Sequence, residues 1–171
     1  LGPIGLLTAQ VLKHMGAQTV YGADLLDYRV EAGRRFGVDA AWNARQEDTV
    51  SRILEETGGR GVDVAFDCSN RSEPLSQCVH AARPAGRVVM TGISGEEDDP
   101  MPVSAARRKE LTLQWCRRFR HNYPAAIALL AAGSVDVRGL ITHSFPLERT
   151  QEAFELVANY ADNVLKASID W

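Results

Sequence analysis

The chain has 171 residues, a formal net charge of −3, and 45% hydrophobic against 24% charged residues, the balance of an ordinary globular domain. The slight acidity argues against nucleic acid or an anionic membrane as the main partner, and no apolar run reaches the roughly 18 residues that a bilayer-spanning helix needs. Cys68, Cys78 and Cys116 are odd in number and form no C-x-x-C pair, which disfavours a disulfide framework or a structural zinc knot and fits a reducing, cytoplasmic setting.

The chain opens on Leu1-Gly2-Pro3-Ile4-Gly5-Leu6-Leu7, the end of a glycine-rich phosphate turn running into a helix. Ile4, Leu7, Val11, Leu12 and Met15 recur at helical spacing, and Gly16 closes the segment. Pro3 suits a first turn, where its missing N–H costs nothing. Gly2 and Gly5 are spaced as the second and third glycines of G-x-G-x-x-G, one for close approach of a pyrophosphate and one for helix–strand packing. The first glycine and the strand before it are absent, so the sequence reads as a piece of a longer protein.

A β-prone run follows over 18–24, ending in Asp24, which lies 22 residues after Gly2. A dinucleotide-binding unit places an acid at about this distance to accept the ribose hydroxyls. The same charge repels a 2′-phosphate, so Asp24 favours NAD over NADP; the competing reading is a solvated acid at a strand end. Asp27 is an expected N-cap for a helix over 28–36, stopped by Gly37. Arg29, on its first turn, is either a contact to the adenosine edge or a solvated helix-face residue.

Further strands are predicted over 40–42, 62–67, 86–92 and 111–116, with helices over 47–57 and 74–83, the latter closed by Pro84. Such alternation implies βαβ crossovers and a parallel sheet covered by helices on both faces. Ligands bind beyond the carboxyl ends of such strands, which singles out the exits at 1–5, 24–25, 68–71, 91–94 and 116–118 as one crevice. Glu96-Glu97-Asp98-Asp99-Pro100 reads as an acidic surface turn, residues 101–104 as an extended piece, and Arg107-Arg108-Lys109 as a solvated basic run. From Tyr123 the character changes. A helix is expected over 125–132, an extended run over 140–145, a helix over 148–159 with Ala153, Phe154 and Val157 inward, and a final strand over 164–171. This tail adds no further βαβ unit to the sheet and has apolar faces without an obvious partner. His14, His80, His121 and His143 show no zinc-ligand spacing, so no metal ligand is assigned.

Taken together, Gly2-Pro3-Ile4-Gly5-Leu6-Leu7, Phe66-Asp67-Cys68-Ser69, Arg83-Pro84-Ala85-Gly86-Arg87-Val88-Val89, Lys109-Glu110-Leu111-Thr112 and the run from Leu140 through Pro146 to Glu148 resemble the medium-chain, zinc-dependent alcohol dehydrogenase superfamily, in its sorbitol, xylitol and threonine dehydrogenase branch. The resemblance runs the whole length of the chain. It implies an α/β, Rossmann-type doubly wound parallel sheet over residues 1–118, less its first strand, and a segment over 119–171 that returns to a GroES-like catalytic domain. That domain, which would carry the zinc, precedes the Rossmann domain in the intact enzymes.

The resemblance further implies cofactor contacts at Gly2, Pro3, Ile4, Gly5, Asp24, Cys68, Ser69, Thr91, Gly92, Ile93, Trp115, Cys116, Arg117 and Lys166, the last near the phosphates; Leu25 at the strand exit and Arg29 on the following helix join them as candidates by position. Arg118 matches an arginine that meets polyol substrate. Asn70 stands where the family commonly has Gly, and Phe119 where the sorbitol branch commonly has Tyr, leaving a polyol, a secondary alcohol or an amino alcohol open as substrate. Implied partners are a small alcohol or polyol and further copies of the chain in a homodimer or homotetramer, with residues 101–104 helping to pair subunits. Without zinc ligands these residues alone are expected to be inactive. Two other classes remain open: a non-catalytic NAD-binding module and an S-adenosylmethionine methyltransferase, which also has a glycine loop and a strand-end acid.

Overall fold

The computed structural model describes residues 1–95 and 98–171; Glu96 and Glu97 of the expected acidic turn lie outside the described residues. The elements in chain order are α1 (Pro3–His14), β1 (Tyr21–Asp24), α2 (Asp27–Arg35), β2 (Ala40–Asn43), α3 (Thr49–Glu56), β3 (Val62–Asp67) and α4 (Ser72–Ala81). They continue with β4 (Ala82–Met90), α5 (Val103–Arg108), β5 (Thr112–Trp115), α6 (Tyr123–Ala131), β6 (Ile141–Pro146), α7 (Thr150–Ala158) and β7 (Lys166–Asp170). Every recorded strand pair is parallel: β1 with β2, β4 between β3 and β5, and β6 with β7. A helix intervenes between paired strands, as a parallel connection requires, and the α/β class expected from the alternation holds.

The residues form two compact units, one of 1–43 with 122–171 and one of 44–121. In the first, α1 turns Leu6 and Ala9 inward. Leu6 packs with Ala32, Phe36, Leu140 and Leu165, while Ala9 joins Val20, Val30, Val38 and Ala41. The stripe expected on α1 is therefore rotated: Ile4 is 56% and Met15 77% exposed. Small Ala9 packs in one cluster with Val30 of α2 and Ala41 of β2, a contact that a hydrophobicity pattern undervalues.

Two helix ends also differ from expectation. Asp27 is the first residue of α2 and Leu26 its N-cap, with no side-chain capping bond; the Asp27 carboxylate instead accepts a bond from Asn43 Nδ2 at 2.6 Å. In α7 only Ala153 is buried, whereas Phe154 is 70% exposed and Val157 is exposed too. The tail, expected to add no βαβ unit, makes one of its own, β6–α7–β7, with His143 opposite Ala167 and Phe145 opposite Ile169.

In the second unit β3, β4 and β5 carry α4 on a core of Ala65, Leu75, Val79, Val88 and Met90. Helix α4 ends at Ala81 and the chain is extended from Ala82, so Pro84 lies inside β4 rather than terminating the helix. The β3–β4 register slips between Val62 and Val64, absorbing the extra residues on β4. Lys109, expected to be solvated, places its Nζ 3.1 Å from the Val79 carbonyl, 2.6 Å from that of His80 and 2.7 Å from that of Ala82. It satisfies carbonyls that the end of α4 leaves without helical partners. Val103 and Ser104 begin α5, which overturns the extended reading there.

Candidate functional site

The first unit gathers Gly2, Asp24 and Arg29. Gly2 is the extended N-cap of α1, no side chain caps that end, and Pro3 opens the first turn. The leading N–H groups of a helix lack intrahelical acceptors, and the end carries partial positive charge. Asp24 closes β1. Its Oδ1 accepts from the Leu25 and Leu26 amides at 2.8 and 3.2 Å, so the strand-exit turn fixes the carboxylate's orientation. Its Oδ2 faces the Leu1 amine at 2.8 Å and Arg29 Nη1 at 3.7 Å. Arg29 sits against Gly2, where a Cβ would lie 3.5 Å from Nη1, and its guanidinium stacks 5.0 Å from the Tyr160 ring centroid and 5.8 Å from that of Tyr28. Ile4 and Leu25 are exposed beside this group and Gly5 is half-buried. Lys166 is exposed at the start of β7, one residue beyond Leu165, which packs on Leu6 of α1.

The second unit gathers three strand exits at the carboxyl ends of β3, β4 and β5. Buried Asp67 is the organiser. Its Oδ1 accepts from the Ser69 amide at 2.9 Å and the Ser69 hydroxyl at 2.7 Å. Its carbonyl accepts from the Thr91 hydroxyl at 2.7 Å and from the Thr91 and Gly92 amides at 2.9 Å. The Thr91 hydroxyl also lies 3.1 Å from Cys68 Sγ.

The exits approach so closely that a Cβ on Gly92 would sit 1.7 Å from the Ser69 carbonyl oxygen. The Cys116 amide donates to the Met90 carbonyl at 2.9 Å, carrying the β4–β5 ladder past Trp115. A small cavity of about 80 Å³ opens between Asp67, Ser69, Met90, Gly92 and Trp115. Trp115, in its lining, is 73% exposed, and Ile93, between the lining residues Gly92 and Ser94, is 65% exposed; Arg117 and Arg118 are exposed too. Burial pushes the neighbouring Cys78 thiol up to about 12, helped by the charge of Asp67. A larger cavity of about 500 Å³, in the first unit, is lined by Gln10, Arg35, Phe36, Asp136, Gly139 and Thr142 and holds none of the predicted site residues.

The sequence-based reading missed Asp67, Tyr28 and Tyr160. Asp67 had a signal, an acid at a strand end two residues before a serine, the pattern of a carboxylate that folds back on its own exit loop. The contact of Tyr160 with Arg29 joins distant parts of the chain and leaves no local trace.

Chemically, the first unit offers a helix N-terminus suited to phosphate beside a carboxylate suited to paired hydroxyls. The second offers a backbone-lined, glycine-tight ledge with an exposed indole. Residues 3–132 match the model of the zinc-binding dehydrogenase family. The sorbitol dehydrogenase of Bacillus subtilis (strain 168) is 30% identical over 169 residues, spanning 99% of this chain and 48% of its own length. The alcohol dehydrogenase TADH from Thermus sp. ATN1 superposes with a TM-score of 0.90 at 30% identity, over 97% of this chain and 48% of its own. An alcohol dehydrogenase of Escherichia coli CFT073, solved in complex with the cofactor NADH, superposes with a TM-score of 0.87 at 29% identity, over 97% of this chain and 49% of its own. The chain thus spans about half the length of such relatives. On this match of family model, fold and relatives, the chain belongs to the zinc-binding dehydrogenase family.

Proposed function

We propose that this chain is the cofactor-binding part of an NAD-dependent, zinc-containing alcohol or polyol dehydrogenase that oxidises a secondary alcohol. Residues 1–118 would form its dinucleotide domain, and 119–171 the segment returning to the catalytic domain. The observation that carries the reading is Asp24, fixed at the exit of β1 with Oδ2 3.7 Å from Arg29 Nη1, while Arg29 lies against Gly2 at the uncapped start of α1. Asp24 accepts the adenosine ribose hydroxyls and its charge rejects a 2′-phosphate. Gly2, Pro3, Ile4 and Gly5 receive the pyrophosphate at the α1 N-terminus, with Lys166 offsetting its charge. Cys68, Ser69, Thr91, Gly92, Ile93, Trp115, Cys116 and Arg117 wall the path toward the nicotinamide, and Arg118 meets the substrate.

When bound, the nicotinamide ring supplies the hydride acceptor. Among the described residues no three His, Cys, Asp or Glu side chains group closely enough to hold a metal. The proposal assigns zinc to an N-terminal catalytic domain, and no turnover is expected from the 171 residues alone. Among the described residues no helix is long and apolar enough to cross a membrane. The proposed setting is the cytoplasm and the proposed assembly a homodimer or homotetramer, which sedimentation equilibrium would check.

Calorimetric titration with NAD, NADP and S-adenosylmethionine tests the reading. NAD should bind most tightly and S-adenosylmethionine not at all. Preferential binding of S-adenosylmethionine would replace the dehydrogenase reading with a methyltransferase one.

A further inference from the structure

Arg29 is held from two directions by aromatic rings. Tyr28 is its neighbour on α2, whereas Tyr160 comes from the segment between α7 and β7, and the Tyr160 ring is the nearer of the two at 5.0 Å. Arg29 Nε is buried with no hydrogen-bond partner among the described residues. Stacking and the charge of Asp24, rather than a hydrogen bond at Nε, therefore place this side chain. The segment presenting Tyr160 is itself unusual. Tyr160, Asp162 and Asn163 all have left-handed φ, at 52°, 47° and 56°, a region that Asp and Asn tolerate but that is uncommon for a bulky residue such as Tyr160. His143 Nε2 lies 3.2 Å from the carboxylate of Asp162 itself, and the Tyr28 hydroxyl donates to the Val164 carbonyl just beyond Asn163 at 3.1 Å, holding the segment within the left-handed stretch and at its end.

We infer that Tyr160 is a specificity-determining residue of the adenosine end of the site: by stacking on Arg29 it holds the guanidinium against Asp24 and Gly2, where it cannot swing to take a phosphate on the ribose 2′ oxygen. This inference rests on the cofactor reading above. A free arginine turns its forked N–H edge to a phosphate readily and binds it through two hydrogen bonds. An arginine with an aromatic ring on its face and a carboxylate 3.7 Å from Nη1 has no such freedom. Asp24 thus excludes the 2′-phosphate by charge, and Tyr160 prevents Arg29 from cancelling that exclusion. The ligand class selected is a dinucleotide with both adenosine ribose hydroxyls free.

The test is calorimetric titration of the full chain with NAD and with NADP, in the unaltered protein and in Tyr160→Leu, Tyr160→Phe, Arg29→Gln and the Tyr160→Leu/Arg29→Gln pair. Removing the ring should lower the ratio of NAD to NADP affinity about three- to fivefold, the scale of one exposed cation–π contact. Tyr160→Phe keeps the ring and should keep the ratio. With Arg29→Gln present, Tyr160→Leu should no longer move it. A merely structural role for Tyr160 would weaken both ligands alike and leave the ratio fixed, and that result overturns the inference. If the unaltered chain binds both dinucleotides but the ratio ignores Tyr160, only this inference fails. If it binds neither, the cofactor reading falls and takes the inference with it.

Discussion

At the residue scale, Gly92 has no room for a methyl group, because the Ser69 carbonyl oxygen would stand 1.7 Å from it. Gly92→Ala must push the β3 and β4 exits apart and break bonds converging on Asp67, so it should cost about 1–3 kcal/mol of stability, as overpacking does. Urea denaturation would measure the loss. The thiols separate as clearly. Cys116 is exposed, while burial pushes Cys78 up to about 12. Iodoacetamide at neutral pH, followed by mass spectrometry, should label exposed Cys116 in the native chain well before half-buried Cys78. The pH dependence has a definite sign. An unfolded thiol loses its proton near 9.0 but the folded Cys78 only near 12. Across that interval the unfolded state binds fewer protons, so Cys78 lowers stability as pH rises and has no effect below it.

Gly2 and Asp24 were legible in the sequence because one strand and one helix fix their spacing. Tyr160 was not, because its role depends on which distant surfaces meet. Asp67 was overlooked because its carboxylate serves its own loop rather than a ligand.

At the element scale, helices were legible in existence and strands in order, but buried faces were not always so. Helix α1 buries Leu6 and small Ala9 while the equally large Ile4 stays exposed. Lys109 looked like one of three solvated cations until its ammonium was found on the last carbonyls of α4. Lys109→Met keeps the aliphatic length and removes those bonds. It should destabilise the second unit by about 1.5–3 kcal/mol, the range for hydrogen bonds to a charged group, read by urea denaturation. Helix α6 is the opposite case. Its apolar sequence forms the predicted helix yet buries no residue, and Ile127 is 62% exposed. Ile127→Gln should therefore change the stability of this chain by no more than about 0.5 kcal/mol. A larger loss would mean that the face is packed in solution.

At the scale of the whole molecule, the parallel strand pairs, their connecting helices and the match across residues 3–132 place the chain in its family. What the family leaves open is the discrimination between dinucleotides, in which the central proposed element is the Asp24 carboxylate. The most direct measurement is the ratio of NAD to NADP affinity in the unaltered chain and in Asp24→Ala, by calorimetry. The account predicts that Asp24→Ala weakens NAD by roughly tenfold or more, the cost of losing hydrogen bonds to a charged group, and binds NADP at least as well as before. A preference for NADP in the unaltered chain, or a ratio indifferent to Asp24, would contradict it.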